Sequence, residues 1–189
     1  GDVYKRQALH QADKLFYTTP IKALSNQKYR DFCARWGKDN VGLLTGDQSI
    51  NGDAPVVVMT TEVLRNMLYA ESPTLHKLRY VVMDEVHYLS DAFRGAVWEE
   101  VILSLPNTVQ LIALSATIGN TTEFANWISA VVGPTSVVTT DFRPVPLTAN
   151  VLVNSTIYPL LNKSGNDVSR HLHNRVDRIL HTPSHHERF

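Results

Sequence analysis

The stretch Tyr80-Val81-Val82-Met83-Asp84-Glu85-Val86-His87 constrains this chain more than any other. Four largely apolar residues run straight into two adjacent carboxylates, and a histidine follows two positions later. An apolar run without polar alternation reads as a strand buried on both faces, the environment of a parallel sheet covered by helices. In open α/β sheets ligands gather outside the carboxyl ends of the strands, so Asp84 and Glu85 fall where a ligand binds. Paired acids there suit a phosphate-bound Mg²⁺ and the water that attacks a nucleoside triphosphate. The rival explanation is a surface Asp-Glu pair opening a loop after a core strand. This stretch alone does not separate the two.

The rest of the chain supplies the context. Leu15-Phe16-Tyr17-Thr18-Thr19 is a short strand candidate, ended by Pro20, whose fixed φ suits the opening of a helix. From Ile21 to about Trp36, the residues Tyr29, Phe32, Cys33 and Trp36 fall on one helical stripe, and Gly37 stops it. Val41–Leu44 and Val56–Met59 are two further strands, separated by turn-rich residues 45–53. A helix carrying Val63, Leu64, Met67 and Leu68 inward follows, broken at Ser72-Pro73. After His87 come a helix burying Trp98, Val101, Ile102 and Leu105, and a strand over Gln110–Leu114. Asn120 with Glu123 three residues on has the form of a capping box and opens a helix with Phe124, Trp127, Ile128, Val131 and Val132 on one face. Gly133-Pro134 ends that helix. Strands are expected over Ser136–Thr140 and from about Leu147 to Val153, and the chain turns polar from about Asn162.

Alternating strands and helices of this kind specify an α/β fold with a doubly wound, open parallel sheet. Bulk composition agrees with a globular chain: 43% of the 189 residues are hydrophobic, enough for a sizeable core. Lys+Arg and Asp+Glu are equal at 18 each, so net charge gives no argument for a nucleic-acid partner. Residues 1–40 do hold eight Lys/Arg against four acids, an excess that fits either phosphate contact or a solvated helix face. A single cysteine, Cys33, excludes a disulfide framework and points to a reducing compartment. No stretch has the length of a membrane span, so the expectation is a soluble, cytoplasmic protein.

Five turns share one property: each follows an apolar strand and carries small hydroxylated or charged residues. They are Thr18-Thr19-Pro20-Ile21-Lys22-Ala23-Leu24, Thr45-Gly46-Asp47, Thr60-Thr61-Glu62, Asp84-Glu85-Val86-His87 and Ser115-Ala116-Thr117. In a parallel sheet all five lie along one rim. Hydroxyls, backbone N–H groups and carboxylates gathered on one rim suit phosphate and metal.

The order of these turns resembles the first RecA-like domain of superfamily-two helicases. With Arg94-Gly95, Trp98-Glu99-Glu100 and Asp141-Phe142-Arg143-Pro144-Val145-Pro146-Leu147 downstream, the Asp-Glu-Val-His variant is similar to superkiller-type (antiviral, exosome-associated) DEVH-box RNA helicases. The resemblance spans roughly residues 15–153; residues 1–14 stay unassigned, and 154–189 read as a linker or poorly ordered tail. It implies a RecA-like open sheet of the P-loop NTPase type with helices on both faces, ATP and Mg²⁺ as cofactors, and single-stranded RNA as partner. Association with RNA-decay complexes also follows by family analogy. By resemblance, Asp84 holds Mg²⁺ mostly through water and Glu85 orients and deprotonates the attacking water. His87 links that site to Ser115 and Thr117, which transmit nucleotide state to strand separation. Thr19, Pro20, Lys22 and Ala23 lie against the nucleic-acid backbone, a track continued by Thr45, Gly46, Asp47, Thr60, Thr61, Glu62 and Arg65. Such contacts read backbone and not base.

Plainer explanations accompany several of these residues. Lys22 and Arg65 also fit solvated helix charges, Glu99 and Glu100 an exposed pair, and Trp98 is core packing. His171, His173, His181, His185 and His186 read as incidental surface histidines. The sequence also departs from the family pattern. No phosphate-binding loop of the form G-x-x-x-x-G-K-[ST] occurs in residues 1–17, and no second RecA-like domain follows. The expectation is a helicase fragment, cut on both sides, that does not hydrolyse ATP at a useful rate by itself. Two rivals stay open: a DNA helicase or translocase of the same superfamily, and a non-catalytic RNA- or protein-binding module.

Overall fold

The computed structural model describes residues 13–91, 95–116, 120–140, 145, 147–162 and 167–181, without the side chains of 179–181. Thr117, Arg94 and the run Asp141–Pro144 therefore lie outside the described residues. The chain divides into two compact units, Gly1–Val137 and Val138–Phe189.

In the first unit, a six-stranded sheet is built around β1 (Lys14–Thr19), every residue of which is buried. Its companions are β2 (Val41–Thr45), β3 (Gln48–Ile50), β4 (Val56–Thr60), β5 (Leu78–Met83) and β6 (Gln110–Ala113), in the order β3-β2-β4-β1-β5-β6. Neighbours from β2 to β6 are parallel, and only β3 runs antiparallel, against β2. Tyr17 of β1 stands opposite Val58 on one side and Val82 on the other, and the β1–β5 register shifts once, between Lys14 and Leu15.

Side chains alternate across the sheet with the strand period of two, so each strand feeds two cores. Leu15, Tyr17, Val56, Val58, Tyr80 and Val82 pack on one face with Phe32 of α1 (Lys22–Trp36). Phe16, Val57, Met59, Val81 and Met83 point to the other. There they meet Leu64 of α2 (Thr61–Tyr69), Trp98, Val101 and Ile102 of α3 (Gly95–Ser104), and Ile128 of α4 (Thr121–Val132). Helices thus cover both faces, which is why the central strands are apolar throughout.

Two local expectations hold in detail. Gly37 ends α1 with φ 85°, a left-handed value that costs glycine nothing. At α4, Asn120 Oδ1 accepts from Glu123 N at 3.1 Å while Asn120 Nδ2 donates to the Glu123 carboxylate at 2.8 Å.

Elsewhere the structure differs from the reading of the sequence. Ser136–Thr140 forms no strand, and Val138 is 93% exposed. In the second unit, β7 (Asn150–Val153) pairs antiparallel with β8 (Thr156–Pro159) through a turn at Asn154-Ser155, both at positive φ. Helix α5 (Arg170–His181) follows and buries Leu172. The segment read as linker or tail therefore contains regular structure. Among the described residues no helix is long and apolar enough to cross a membrane.

Candidate functional site

The strand order dictates where a ligand can sit. From β1 the chain leaves toward β2 through α1 on one face; from β5 it leaves toward β6 through α3 on the other. β1 and β5 are adjacent, so the direction of winding reverses between them. A crevice outside the carboxyl ends of strands at such a reversal is the ligand position of an open α/β sheet. Thr19 lies on one side of it and Asp84 on the other. The turns after β1, β2, β4, β5 and β6 all share this rim, because the five strands are parallel.

Asp84 is firmly held. Its backbone N–H donates to Thr18 O at 2.9 Å, extending the β1–β5 pairing by one residue. The Tyr17 hydroxyl donates to Asp84 Oδ2 at 2.6 Å, and Lys28 Nζ of α1 lies 3.5 Å from the same oxygen. Glu85 N donates to Oδ1 at 3.1 Å. Lys28 also stands 5.7 Å from the centre of the Tyr17 ring, a cation–π distance, and that ring meets Phe32 edge-on at 5.1 Å. Burial, then the hydrogen bond to Asp84, hold the Tyr17 phenol well above its ordinary pKa, so it stays a donor.

Glu85 adopts φ 59° and ψ 43°, a left-handed conformation that a non-glycine residue avoids unless its surroundings impose it. The imposition is visible. Val86 N donates to Leu114 O and Leu114 N to Met83 O, each at 2.9 Å, stitching the turn to the end of β6. The 3₁₀ turn Val86–Ser90 then carries His87, whose Nδ1 lies 3.3 Å from Glu85 Oε2. That nitrogen is shielded from solvent yet not aligned for a hydrogen bond. Ser115 is exposed one residue beyond Leu114, so the acidic turn and the Ser115 turn share a backbone link.

These residues fit a magnesium nucleotide in one specific sense. Mg²⁺ on a triphosphate keeps waters and takes only one or two carboxylates. Among the described residues no cluster of three or more His, Cys, Asp or Glu forms a protein cage for a metal. One anchored carboxylate at the winding reversal, Asp84, with Glu85 beside it, is the donor set that such a phosphate-held ion needs.

The remaining rim residues separate into two groups. Thr19, Pro20, Thr45, Thr60 and Thr61 are buried, and three of the threonine hydroxyls are used internally. Thr19 Oγ1 donates to Ile21 O at 3.0 Å and lies 2.7 Å from Ser25 Oγ, with either hydroxyl able to donate. Thr45 Oγ1 donates to Asp47 Oδ1 at 2.9 Å, and Thr61 Oγ1 to Thr19 O at 3.3 Å. These hydroxyls shape the turns. Lys22, Ala23, Gly46 and Asp47 are exposed, and Glu62 and Arg65 half-buried. Helix α1 opens at Ile21 with no side-chain cap and no acid in its first turn. Lys22 Nζ donates to Asp47 Oδ2, and Arg65 lies 3.6 Å from Glu100 Oε2 of α3.

The sequence does not single out Tyr17 or Lys28 as site residues, and Glu100, with Glu99, reads equally as support for the site from the helix and as an exposed pair. Their partners lie 67, 56 and 35 positions away, and only the fold brings them together. The one sequence signal for Tyr17 was a tyrosine in an otherwise apolar buried strand, where a hydroxyl needs a partner.

Residues 3–124 match the family model of the DEAD/DEAH box helicases. The chain is 59% identical over 162 residues to the probable helicase HelY of Mycobacterium tuberculosis, covering 86% of this chain and 18% of HelY. It is 49% identical over 152 residues to the antiviral helicase SKI2 of Saccharomyces cerevisiae, covering 80% of this chain and 12% of SKI2. With the ATP-dependent RNA helicase mtr4 of Schizosaccharomyces pombe the identity is 51% over 142 residues, 75% of this chain and 12% of mtr4. The chain thus spans less than a fifth of the length of each of these relatives. Among solved structures, the Hef helicase domain of Pyrococcus furiosus superposes with a TM-score of 0.52 at 22% identity, covering 70% of this chain and 30% of Hef, which supports the RecA-like fold alone. With the family model matched over most of the sheet, and SKI2 and mtr4 among its relatives, the chain belongs to the DEAD/DEAH box helicases, in their superkiller-type group.

Proposed function

We propose that this chain is part of the first motor lobe of an ATP-dependent RNA helicase that works on single-stranded RNA in the cytoplasm. The observation that carries the reading is the meeting of Asp84 and Glu85 with the Thr19–Ala23 turn across the β1/β5 winding reversal. ATP with Mg²⁺, when bound, supplies the phosphoanhydride whose cleavage drives the cycle. Asp84, kept in place by Tyr17, would hold the Mg²⁺ mostly through water. Glu85, its backbone fixed in the left-handed region, takes a proton from the attacking water. His87, its Nδ1 beside Glu85, relays occupancy to Ser115 and Thr117 through the backbone link between its turn and the end of β6. On the other side of the crevice, the exposed Lys22 and Ala23 meet the RNA backbone from a turn shaped by the buried Thr19 and Pro20; Gly46 and Asp47, on the turn shaped by Thr45, and Glu62 and Arg65, beside the buried Thr60 and Thr61, continue the track. Lys22 supplies charge and the uncapped start of α1 supplies N–H donors. The relative mtr4, an ATP-dependent RNA helicase, favours RNA, and RNA-decay assemblies enter as partners by the family analogy. Because the sequence carries no G-x-x-x-x-G-K-[ST] loop, this chain alone turns over ATP no faster than its Glu85→Gln variant.

Competition between matched single-stranded RNA and DNA, followed by anisotropy across a salt series, tests the reading. RNA should bind in preference to DNA, with an affinity that falls as salt rises. Preferred binding of DNA would move the assignment to a DNA translocase. Binding of neither strand at low salt would leave a protein-binding module.

A further inference from the structure

Both cations placed on the proposed RNA track are already neutralised by carboxylates of the chain itself. Lys22 donates to Asp47, and Arg65 faces Glu100 at 3.6 Å. The Asp47 arrangement is the more developed of the two. Asp47 reaches Lys22 from the turn after β2, and Thr45 Oγ1 holds its second oxygen at 2.9 Å, so the carboxylate is oriented and not merely nearby. Its ion pair stands at the first residue of α1, a helix start with no side-chain cap and no acid of its own in the first turn. A cation there opposes the helix dipole, and an anion brought in from another strand offsets that cost. Lys22 is 47% and Asp47 60% exposed at the side chain, so a polyanion can reach both. The hydrogen bonds from Lys22 and Thr45 also lower the Asp47 pKa, keeping it ionised near neutrality.

Resting on the assignment of Lys22 to the RNA backbone, we infer that Asp47 is a built-in stand-in for an RNA phosphate, a competitor that the strand displaces when it engages Lys22. The consequence is a tempered affinity. Each time RNA takes Lys22, one internal ion pair is given up, so that contact adds little net binding and little net counterion release. Glu100 does the same for Arg65 from α3. The track thereby holds RNA weakly until several contacts form together, a property suited to a surface that must let a strand move.

The test is a double-mutant cycle on single-stranded RNA binding, with melting curves for each variant. Asp47→Asn should bind RNA about two- to fivefold tighter than the parent, the range expected for releasing one exposed ion pair. Its salt slope should steepen by about 0.7. In a Lys22→Ala background the Asp47→Asn gain should vanish, because the carboxylate acts through Lys22. Glu100→Gln should behave alike and depend on Arg65. Unchanged or weaker binding by a folded Asp47→Asn overturns the inference. A gain that persists without Lys22 also overturns it, since Asp47 would then only repel the strand. If Lys22→Ala weakens binding while Asp47→Asn does nothing, the track stands and the stand-in falls. If no variant binds RNA, both fall.

Discussion

At the residue scale, Asp84 shows what a sequence can and cannot announce. Its position at the end of an apolar strand was legible, because four such residues before two acids, among alternating strands and helices, read as a buried parallel strand. Its partners were not. Tyr17 sits on a neighbouring strand and Lys28 on the helix covering it, contacts set by strand order. The Tyr17 bond carries a checkable consequence. An unfolded phenol ionises from about pH 10, while the folded one stays protonated, so above that pH the unfolded state binds fewer protons and stability falls as pH rises. One such group contributes a slope of up to about 1.4 kcal/mol per pH unit. Chemical denaturation at pH 9, 10 and 11 should show the parent losing stability faster than Tyr17→Phe; parallel losses would contradict the bond. Glu85 offers a second check. Relief of its left-handed backbone should make Glu85→Gly more stable than Glu85→Ala by about 1 kcal/mol, measured by urea unfolding. Equal stability would mean the turn does not hold φ positive in solution.

At the element scale, the strands with continuous apolar runs were readable and the polar ones were not. β3 is three exposed residues laddered with β2, and nothing in Gln48-Ser49-Ile50 signals a strand. The β7–β8 hairpin turns at Asn154-Ser155 without a glycine, and β8 ends in Pro159, both of which weaken a strand signal. α5 was missed although Leu172, Val176 and Ile179 recur at helical spacing; the surrounding polar residues masked it. In the other direction, Ser136–Thr140 has β-forming residues and yet takes no place in a sheet. Propensity proposes, and pairing decides. The β2–β3 region also places glycine under a hard constraint. A Cβ on Gly42 would stand 2.2 Å from Asn51 O, whereas one on Gly46 would meet nothing within 4 Å. Gly42→Ala should therefore cost about 1–3 kcal/mol in urea unfolding. Gly46→Ala should stay within about 0.5 kcal/mol of the parent. Similar costs at both positions would contradict the packing of residues 50–51 over β2.

At the scale of the whole first unit, strand order converts scattered turns into a site. The sequence supported a parallel sheet and hence a shared rim. It could not say that β1 and β5 are neighbours wound in opposite directions, which is what sets Asp84 and Glu85 across from Thr19. The rim is also not the only place where cations collect. Lys38, Lys77 and Arg79 are exposed around the opposite ends of the strands, a rival landing surface for a polyanion. Hydrogen–deuterium exchange of this chain with and without single-stranded RNA separates the two surfaces directly. The account predicts RNA-dependent protection at the amides of Lys22–Leu24, Gly46–Asp47 and Glu62–Arg65, with residues 38–40 and 76–79 unchanged. Protection centred on residues 38–40 and 76–79, with the Lys22–Leu24 amides unaffected, would contradict it.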